Sequence, residues 1–323
     1  DTFIATVYYE IFADFNSNGL SFYGKFQNGG QNRFNEKAEA ETVYNGCKKV
    51  DSSNEFADGV VDSVEKKTRN EKAPLLYDLT ELQKDANKKF KFTADQTLKT
   101  AQSLYEKHKI ITYPRTSSRY LSMDIEPKLK QNVENLAKLP AFSQAASEIL
   151  ENNWKIASRM IDDKKVTDHH AIIPTEKMPN LSFLSETEFL LFQLIMTRFL
   201  SAFFPDCIKH QTDILILVNK AQFKASGTMV KQLGWRSLYQ ESKDDLDGTK
   251  KESKAKMSSK TESKEAELPY LEKGSPVITQ KVTVKESQTK APPLYTEASI
   301  LAAMETAGKR IEDEELRQAM KDS

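Results

Sequence analysis

The hydrophobic pattern changes period twice along the chain. β-branched and aromatic residues crowd Thr2–Phe12, and Leu20, Phe22, Gly24 and Phe26 alternate with polar or large neighbours. This period of two predicts strands. Glu36–Lys49 reads as a helix, and Val60–Thr68 returns to strand-like alternation. The middle of the chain is helical. Thr80-Glu-Leu-Gln83, Thr93-Ala-Asp-Gln96 and Ser185-Glu-Thr-Glu188 each fit the capping box. In that box a hydroxyl accepts one orphan backbone N–H and a Glu or Gln reaches back to another. The second box starts a helix expected to run to about Lys107. The third opens a helix whose apolar face carries Phe189, Phe192, Met196, Phe199 and Phe203, with Pro205 as its stop. Two further helices are expected over about Ile125–Lys138 and Phe142–Asn153. Beyond Pro205 the strand signal resumes at Thr212–Val218, Gln222–Met229 and Val277–Lys285.

Strands on both sides of a helical block predict an α+β, multidomain fold. A discontinuous β-rich domain (1–72 and 205–290) is interrupted by an inserted helical domain (73–204), and 291–323 begins a further segment. Residues 241–267 break the pattern: eight Asp/Glu and seven Lys leave four apolar residues among 27. Such a stretch cannot offset the entropy of ordering itself, which predicts a mobile charged loop within the second β block. Asp245-Leu-Asp247 within it lacks the preceding apolar strand that a metal-binding D-x-D needs, so no metal is expected there.

Composition narrows the class. With 38% hydrophobic residues, 17 Phe and 11 Tyr, the 323-residue chain can bury real cores, which excludes whole-chain disorder. Lys+Arg and Asp+Glu both number 47, so the chain is no uniformly basic nucleic-acid coat, although a local basic patch remains open. The two cysteines, Cys47 and Cys207, have no ligand-like spacing and fit a reducing, cytoplasmic setting. The longest aliphatic run, Ile214–Val218, is far short of the ~18 residues of a spanning helix, so no membrane is expected. The chain opens Asp-Thr-Phe-Ile without Met or a basic leader, as a piece of a longer protein would. No G-x-x-x-x-G-K or G-x-G-x-x-G occurs, which argues against a glycine-loop nucleotide site.

Two stretches carry chemistry. In Ile110-Ile-Thr-Tyr-Pro-Arg-Thr-Ser-Ser-Arg-Tyr-Leu121, Pro114 drives Tyr113 out of the α region. In an extended chain Tyr113 and Arg115 then project to the same side. Thr112, Thr116, Ser117, Arg119 and Lys109 add donors nearby. Between Lys99 and Lys130 seven Lys/Arg stand against three Asp/Glu. A phenol beside a guanidinium suits attack on a phosphodiester: the cation favours phenolate and steadies charge on the phosphate, and the product is a phosphotyrosine ester. A packed Tyr at a domain edge with a surface Arg gives the same pattern. In Val166-Thr-Asp-His-His-Ala-Ile-Ile-Pro-Thr175, adjacent His169 and His170 have no third ligand near them, so a phosphate donor or proton shuttle fits better than zinc. A structural His pair satisfied by backbone carbonyls is the plainer alternative.

Ile111–Leu121 resembles the nucleophile motif of type IA DNA topoisomerases in their topoisomerase III form. Lys72–Gln83, Ala101-Gln-Ser-Leu-Tyr-Glu106, Asp168–Thr175 and Pro293–Leu301 resemble further family segments in the same order. The resemblance implies that Tyr113 is the nucleophile and keeps the 5′ phosphate. Arg115 stabilises the attacked phosphate, and His169 contacts DNA near the cut, with His170 a second contact. It implies religation without ATP, a β-rich arch, and 291–323 as the start of a truncated base domain. The family's Toprim domain, which holds Mg2+ on an acidic cluster, has no counterpart here, because residues 1–72 contain no D-x-D after an apolar strand. The chain is therefore expected to be a central fragment, inactive alone and without a cofactor of its own, with Mg2+ expected in the full-length enzyme. Single-stranded DNA is the expected partner, with a RecQ-like helicase for the whole enzyme, in the bacterial cytoplasm and associated with the nucleoid. Two other classes stay open: a non-catalytic single-strand-binding module, with Tyr105 and Tyr120 as stacking residues, and a tyrosine recombinase or type IB enzyme, which attaches to the 3′ phosphate.

Overall fold

The computed structural model describes residues 3–49, 55–166, 168–239 and 268–306. They form two compact units. The first takes its described residues from Asp1–Glu71, Cys207–Gln232 and Thr249–Pro293; the second from Lys72–Asp206, Leu233–Gly248 and Leu294–Ser323. The expected loop at 241–267 and its Asp245-Leu-Asp247 lie outside the described residues.

The first unit is a closed antiparallel barrel of six strands: β1 Val7–Ser17, β2 Leu20–Phe26, β3 Gly59–Glu71, β4 Cys207–Val218, β5 Ala221–Gln232 and β6 Pro276–Gln288, in the order β1-β2-β5-β4-β3-β6. Closure leaves no open edge to template foreign pairing. Ile11, Ala13 and Phe15 of β1 are wholly buried at every second position, which is the strand periodicity. Phe223 packs edge-on against Phe15 and Phe26, at 5.9 and 6.0 Å between ring centroids. The expected first strand, Thr2–Phe12, is displaced: β1 begins at Val7 and continues to Ser17. The inward positions carry on through Ala13 and Phe15, although Asp14 and Asn16 between them are polar. Asn18 (φ +52°) and Gly19 (φ +82°) make the tight turn into β2, the left-handed pair favoured between antiparallel strands. Helix α1, Lys37–Gly46, belongs to the same unit.

The second unit is helical: α2 Leu79–Phe90, α3 Ala94–Ser103, α4 Glu126–Ala137, α5 Ser143–Glu151, α6 Glu186–Ser201 and α7 Glu297–Glu305. The capping box at Ser185 is complete, and Thr93 accepts from the Gln96 amide at 3.0 Å. The box expected at Thr80 is replaced. Helix α2 starts two residues earlier, at the cap Asp78, whose carboxylate accepts from the Glu81 amide at 2.7 Å. A carboxylate at the positive end of the helix dipole is a stronger cap than a hydroxyl. Helix α3 ends at Ser103 rather than near Lys107, giving way to a π turn over Leu104–His108. Helix α6 ends at Ser201, short of Pro205, and is buried on most of its circumference, including Phe192, Ile195, Met196 and Phe199.

Two short segments join this unit. Residues 233–239 dock by the Trp235 amide on the Pro205 carbonyl at 3.0 Å. The start of the expected base segment also packs here: α7 lies on α2, where Asn87 Oδ1 accepts from the Ala298 amide at 3.3 Å and Lys84 Nζ meets Glu305 Oε2 at 2.9 Å. Among the described residues, no helix is long and apolar enough to cross a membrane.

Candidate active site

The Tyr113 loop leaves the π turn through Lys109, which has φ +58°, and runs extended between two other segments. On one side lies the His segment. The Thr112 amide donates to the Ile173 carbonyl at 2.9 Å, and the Thr175 amide donates to the Ile110 carbonyl at 3.2 Å. On the other side, the Leu121 amide donates to Met160 O at 2.8 Å and the Leu79 amide donates to Thr116 O at 3.1 Å. Ile111 and Leu121, fully buried, anchor the two ends in the helical core. The exposed positions between them, Arg115 and Ser117, are thereby held on a rigid base.

This packing brings Tyr113 and His169 together. Their ring centroids are 4.4 Å apart at an interplanar angle of 47°. The threonine hydroxyls make the contact possible. Thr116 Oγ1 donates to the His169 carbonyl at 2.8 Å and accepts from the Ser118 amide at 3.1 Å. Thr112 Oγ1 donates to Ala171 O at 3.1 Å and accepts from the Ile173 amide at 3.0 Å. Both hydroxyls are thus spent on joining the two segments, and Thr116 is buried. In this arrangement they hold the loop against the His segment. Arg119 also turns inward: Nε donates to Leu76 O at 3.3 Å and Nη2 lies 3.8 Å from Glu81 Oε2. His170 Nδ1 is 2.8 Å from the Ala171 carbonyl oxygen.

Arg115, Ser117, Lys109 and His169 are exposed, and Tyr113 is half-buried. The Tyr113 hydroxyl has no hydrogen-bond partner among the described residues. Tyr105 meets the Tyr113 ring edge-on at 5.4 Å while itself remaining exposed. Tyr120, the other stacking candidate, lies under Lys165 Nζ at 4.6 Å.

Four contributors escape sequence reasoning. Gln102, with its amide oxygen turned to the guanidinium, accepts from Arg115 Nε at 3.1 Å and Nη2 at 2.9 Å. Ser103 and His108 converge on Glu188. The signals in the sequence are that Gln102 and Ser103 stand in Ala101-Gln-Ser-Leu-Tyr-Glu106, which resembles a family segment as a whole, and that Glu188 closes a capping box. The Glu188 carboxyl is held down at about 2: burial opposes its ionisation, but bonds from Ser103 and Ser185 and the nearby His108 outweigh burial. Among the described residues no three His, Cys, Asp or Glu side chains gather as a cation site.

The chain is similar to several known proteins. The family model described as DNA topoisomerase matches residues 1–309. "DNA topoisomerase 3" of Bacillus subtilis is 38% identical over 256 residues, covering 79% of this chain and 33% of that protein. The protein of the same name from Bacillus cereus is 36% identical over 307 residues, covering 95% of this chain and 39% of its own length. The chain therefore spans between a third and two fifths of these relatives. In fold it is similar to full-length topoisomerase I from Thermotoga maritima, with a TM-score of 0.63 at 20% identity over 95% of this chain and 45% of that one. With a family match over nearly all its residues and an α+β architecture shared with a solved topoisomerase, the chain belongs to the type IA DNA topoisomerase family.

Proposed function

We propose that this chain carries the strand-cleaving tyrosine of a DNA topoisomerase that changes DNA topology through single-stranded regions. The observation that carries the reading is the pairing of a half-buried Tyr113 with His169, 4.4 Å away between ring centroids, and with an exposed Arg115 two residues on. The Tyr113 oxygen attacks the phosphorus of one strand. The new O–P bond replaces the P–O3′ bond, the phenolic proton is lost, and the departing 3′ oxygen is protonated. One phosphodiester is exchanged for another, so the bound 3′ hydroxyl reverses the step with no energy source. Arg115, held on one side by Gln102, offers its remaining donors to the phosphate as negative charge grows. His169, whose ring lies tilted at 47° against the attacking ring, donates on this reading to a non-bridging oxygen.

On this reading the 5′ phosphate stays on the protein, and passage of another strand through the gap gives relaxation or decatenation. The partners are single-stranded DNA and, for the longer protein, a RecQ-like helicase, in a cytoplasmic, nucleoid-associated setting. Mg2+ is assigned to a part of the longer enzyme other than these residues. The described residues do not fit a cation site, so no step here passes through one.

The test is covalent trapping on single-stranded oligonucleotides labelled at one end or the other, with the full-length protein and Mg2+. Wild type is expected to capture the 3′-labelled product, which carries the 5′ phosphate at the break, and Tyr113→Phe is expected to capture nothing. Capture of the 5′-labelled product, or adduct in the Phe variant, would overturn the assignment. Equal, reversible binding by both proteins without adduct would leave a single-strand-binding module.

A further inference from the structure

Helix α3 does not run smoothly into the Tyr113 loop. It widens at Leu104–His108 into a π turn, and the Ile110 amide reaches back to the Leu104 carbonyl at 3.1 Å. Such turns are rare and recur at functional sites, because their hydrogen-bonding geometry needs support from outside. Here Lys177 Nζ donates to the His108 carbonyl at 2.9 Å, and one carboxylate reaches both ends of the turn. Glu188 Oε1 accepts from Ser103 Oγ at 2.6 Å and lies 3.2 Å from His108 Nε2. Ser103 is the last residue of α3 and His108 the last of the turn, so one atom brackets it at both ends. The other oxygen, Oε2, accepts from the Ser185 amide at 2.8 Å and from Ser185 Oγ at 2.9 Å.

The two oxygens therefore serve different purposes. Oε2 completes the cap of α6, a task that Gln also performs in capping boxes. Contacts to residues some 80 positions earlier are no part of a cap. The residues around the π turn are those that touch the site: Gln102 meets Arg115, and Tyr105 meets the Tyr113 ring edge-on. A change in the turn's register would move both. Glu188 itself is only 7% exposed and touches neither Tyr113 nor Arg115.

We propose that Glu188 is a positioning residue for strand cleavage: through Ser103 and His108 it fixes the π turn that sets where Tyr113, Tyr105 and Arg115 stand. The inference rests on the reading of Tyr113 as the nucleophile. A purely structural Glu188 would join two helices without affecting the reaction beyond its effect on folding.

The division between the oxygens separates these roles. Ser185→Ala removes the Oγ bond at Oε2 and leaves the Ser103 and His108 contacts. Ser103→Ala removes the Oγ bond at Oε1 and leaves the His108 contact and both Ser185 bonds. In the full-length protein, Ser103→Ala and Glu188→Ala are expected to slow covalent adduct formation on a single-stranded oligonucleotide about 10-fold, with affinity for that oligonucleotide within about 2-fold. Glu188→Gln is expected to recover most of the rate lost in Glu188→Ala. Ser185→Ala is expected to lower Tm at least as much as Ser103→Ala while forming adduct at close to the wild-type rate. Adduct rates that follow Tm across the variants, or wild-type rates in Ser103→Ala and Glu188→Ala, overturn the proposal. Hydrogen exchange gives a second readout independent of cleavage. The Ile110 amide is expected to exchange faster in Glu188→Ala and Ser103→Ala but not in Ser185→Ala, and unchanged protection in all three overturns the proposal too. If wild type itself gives no adduct, the nucleophile reading falls, and the proposal that rests on it falls with it. The exchange data would then still show whether Glu188 holds the turn.

Discussion

Replacing Arg198 by Met should destabilise the helical unit by about 3 kcal/mol. Arg198 projects from α6 and is 6% exposed. Its guanidinium donates to four groups at once: Asp85 Oδ2 at 2.6 Å, Leu75 O at 2.8 Å, and the Tyr77 and Tyr239 hydroxyls at 3.1 Å each. It also lies over the Tyr77 ring, 4.1 Å from the centroid. Burial pulls against the charged form, but the two phenols and Asp85 hold the guanidinium firmly protonated. Methionine keeps the packing of the stem and loses every one of these bonds. Breaking a buried pair costs roughly 3–5 kcal/mol, mostly for the charge left behind. Asp85 retains 25% exposure of its side chain, so water can reach it, and the lower end of that range applies.

The effect should reach the site, because the Tyr77 carbonyl accepts from the Ile172 amide at 2.8 Å beside the His segment. Urea unfolding followed by circular dichroism measures the loss. In a double-mutant cycle with Asp85→Leu, the two losses should fall short of additive by more than about 1 kcal/mol. A loss under about 1 kcal/mol for Arg198→Met, or simple additivity, would refute the view of Arg198 as the buried electrostatic tie of this unit.

Two further predictions concern different parts of the molecule. Gly59→Ala would place a Cβ 2.7 Å from Ile216 Cγ2 and 2.9 Å from Val277 Cγ2, both in the closed barrel core. Overpacking of this kind costs about 1–3 kcal/mol, so the barrel's thermal transition should fall by several degrees, and an unchanged transition would show that the strands shift freely. The Glu188 carboxyl, held at about 2 against an ordinary 4.5, adds stability that is fully present above pH ~4.5 and is lost as the pH falls towards ~2. With discounting for solvent, about 1–2 kcal/mol is at stake. Glu188→Gln should therefore be less stable than wild type at pH 7 and close the gap near pH 2, and a constant gap would contradict the cause assigned to the shift.

The α+β character and the family were legible because they rest on local pattern: period-two stretches for strands, signed helix starts, and motifs a dozen residues long. Where the sequence reading slipped, a local rule lost to a neighbour or to the barrel. Thr80 has the right spacing for a cap, but Asp78 two residues earlier is the better anion at a helix start. Asp14 and Asn16 look like the end of a strand, yet barrel closure keeps them paired outward while Ala13 and Phe15 fill the interior. The site divides in the same way. Tyr113, Arg115 and His169 were legible as residue types in a motif. The inward turn of Thr112, Thr116 and Arg119 was not, because every donor on an unfolded loop looks available. Whether a hydroxyl meets solvent or a carbonyl depends on which segment packs beside it, and that segment comes from fifty or more residues away.

Glu188 and Arg198 show the limit most clearly. Each sits on α6, a largely apolar helix, where the capping box marks Glu188 only as part of the helix start and nothing in the pattern marks Arg198 as buried. Both are buried, and both act on segments 80 or more residues earlier: Glu188 on the turn that feeds Tyr113, Arg198 on the segment that backs the His loop. A charge stays in such a core only if its partners are delivered to it by the fold. Those partners, Ser103, His108, Asp85 and Tyr77, look ordinary in sequence. Their side chains become meaningful only through α6, so this helix is both the hydrophobic spine of the helical unit and the element that sets the geometry of the tyrosine loop. The same dependence explains why a substitution on α6 that never touches DNA is expected to alter cleavage.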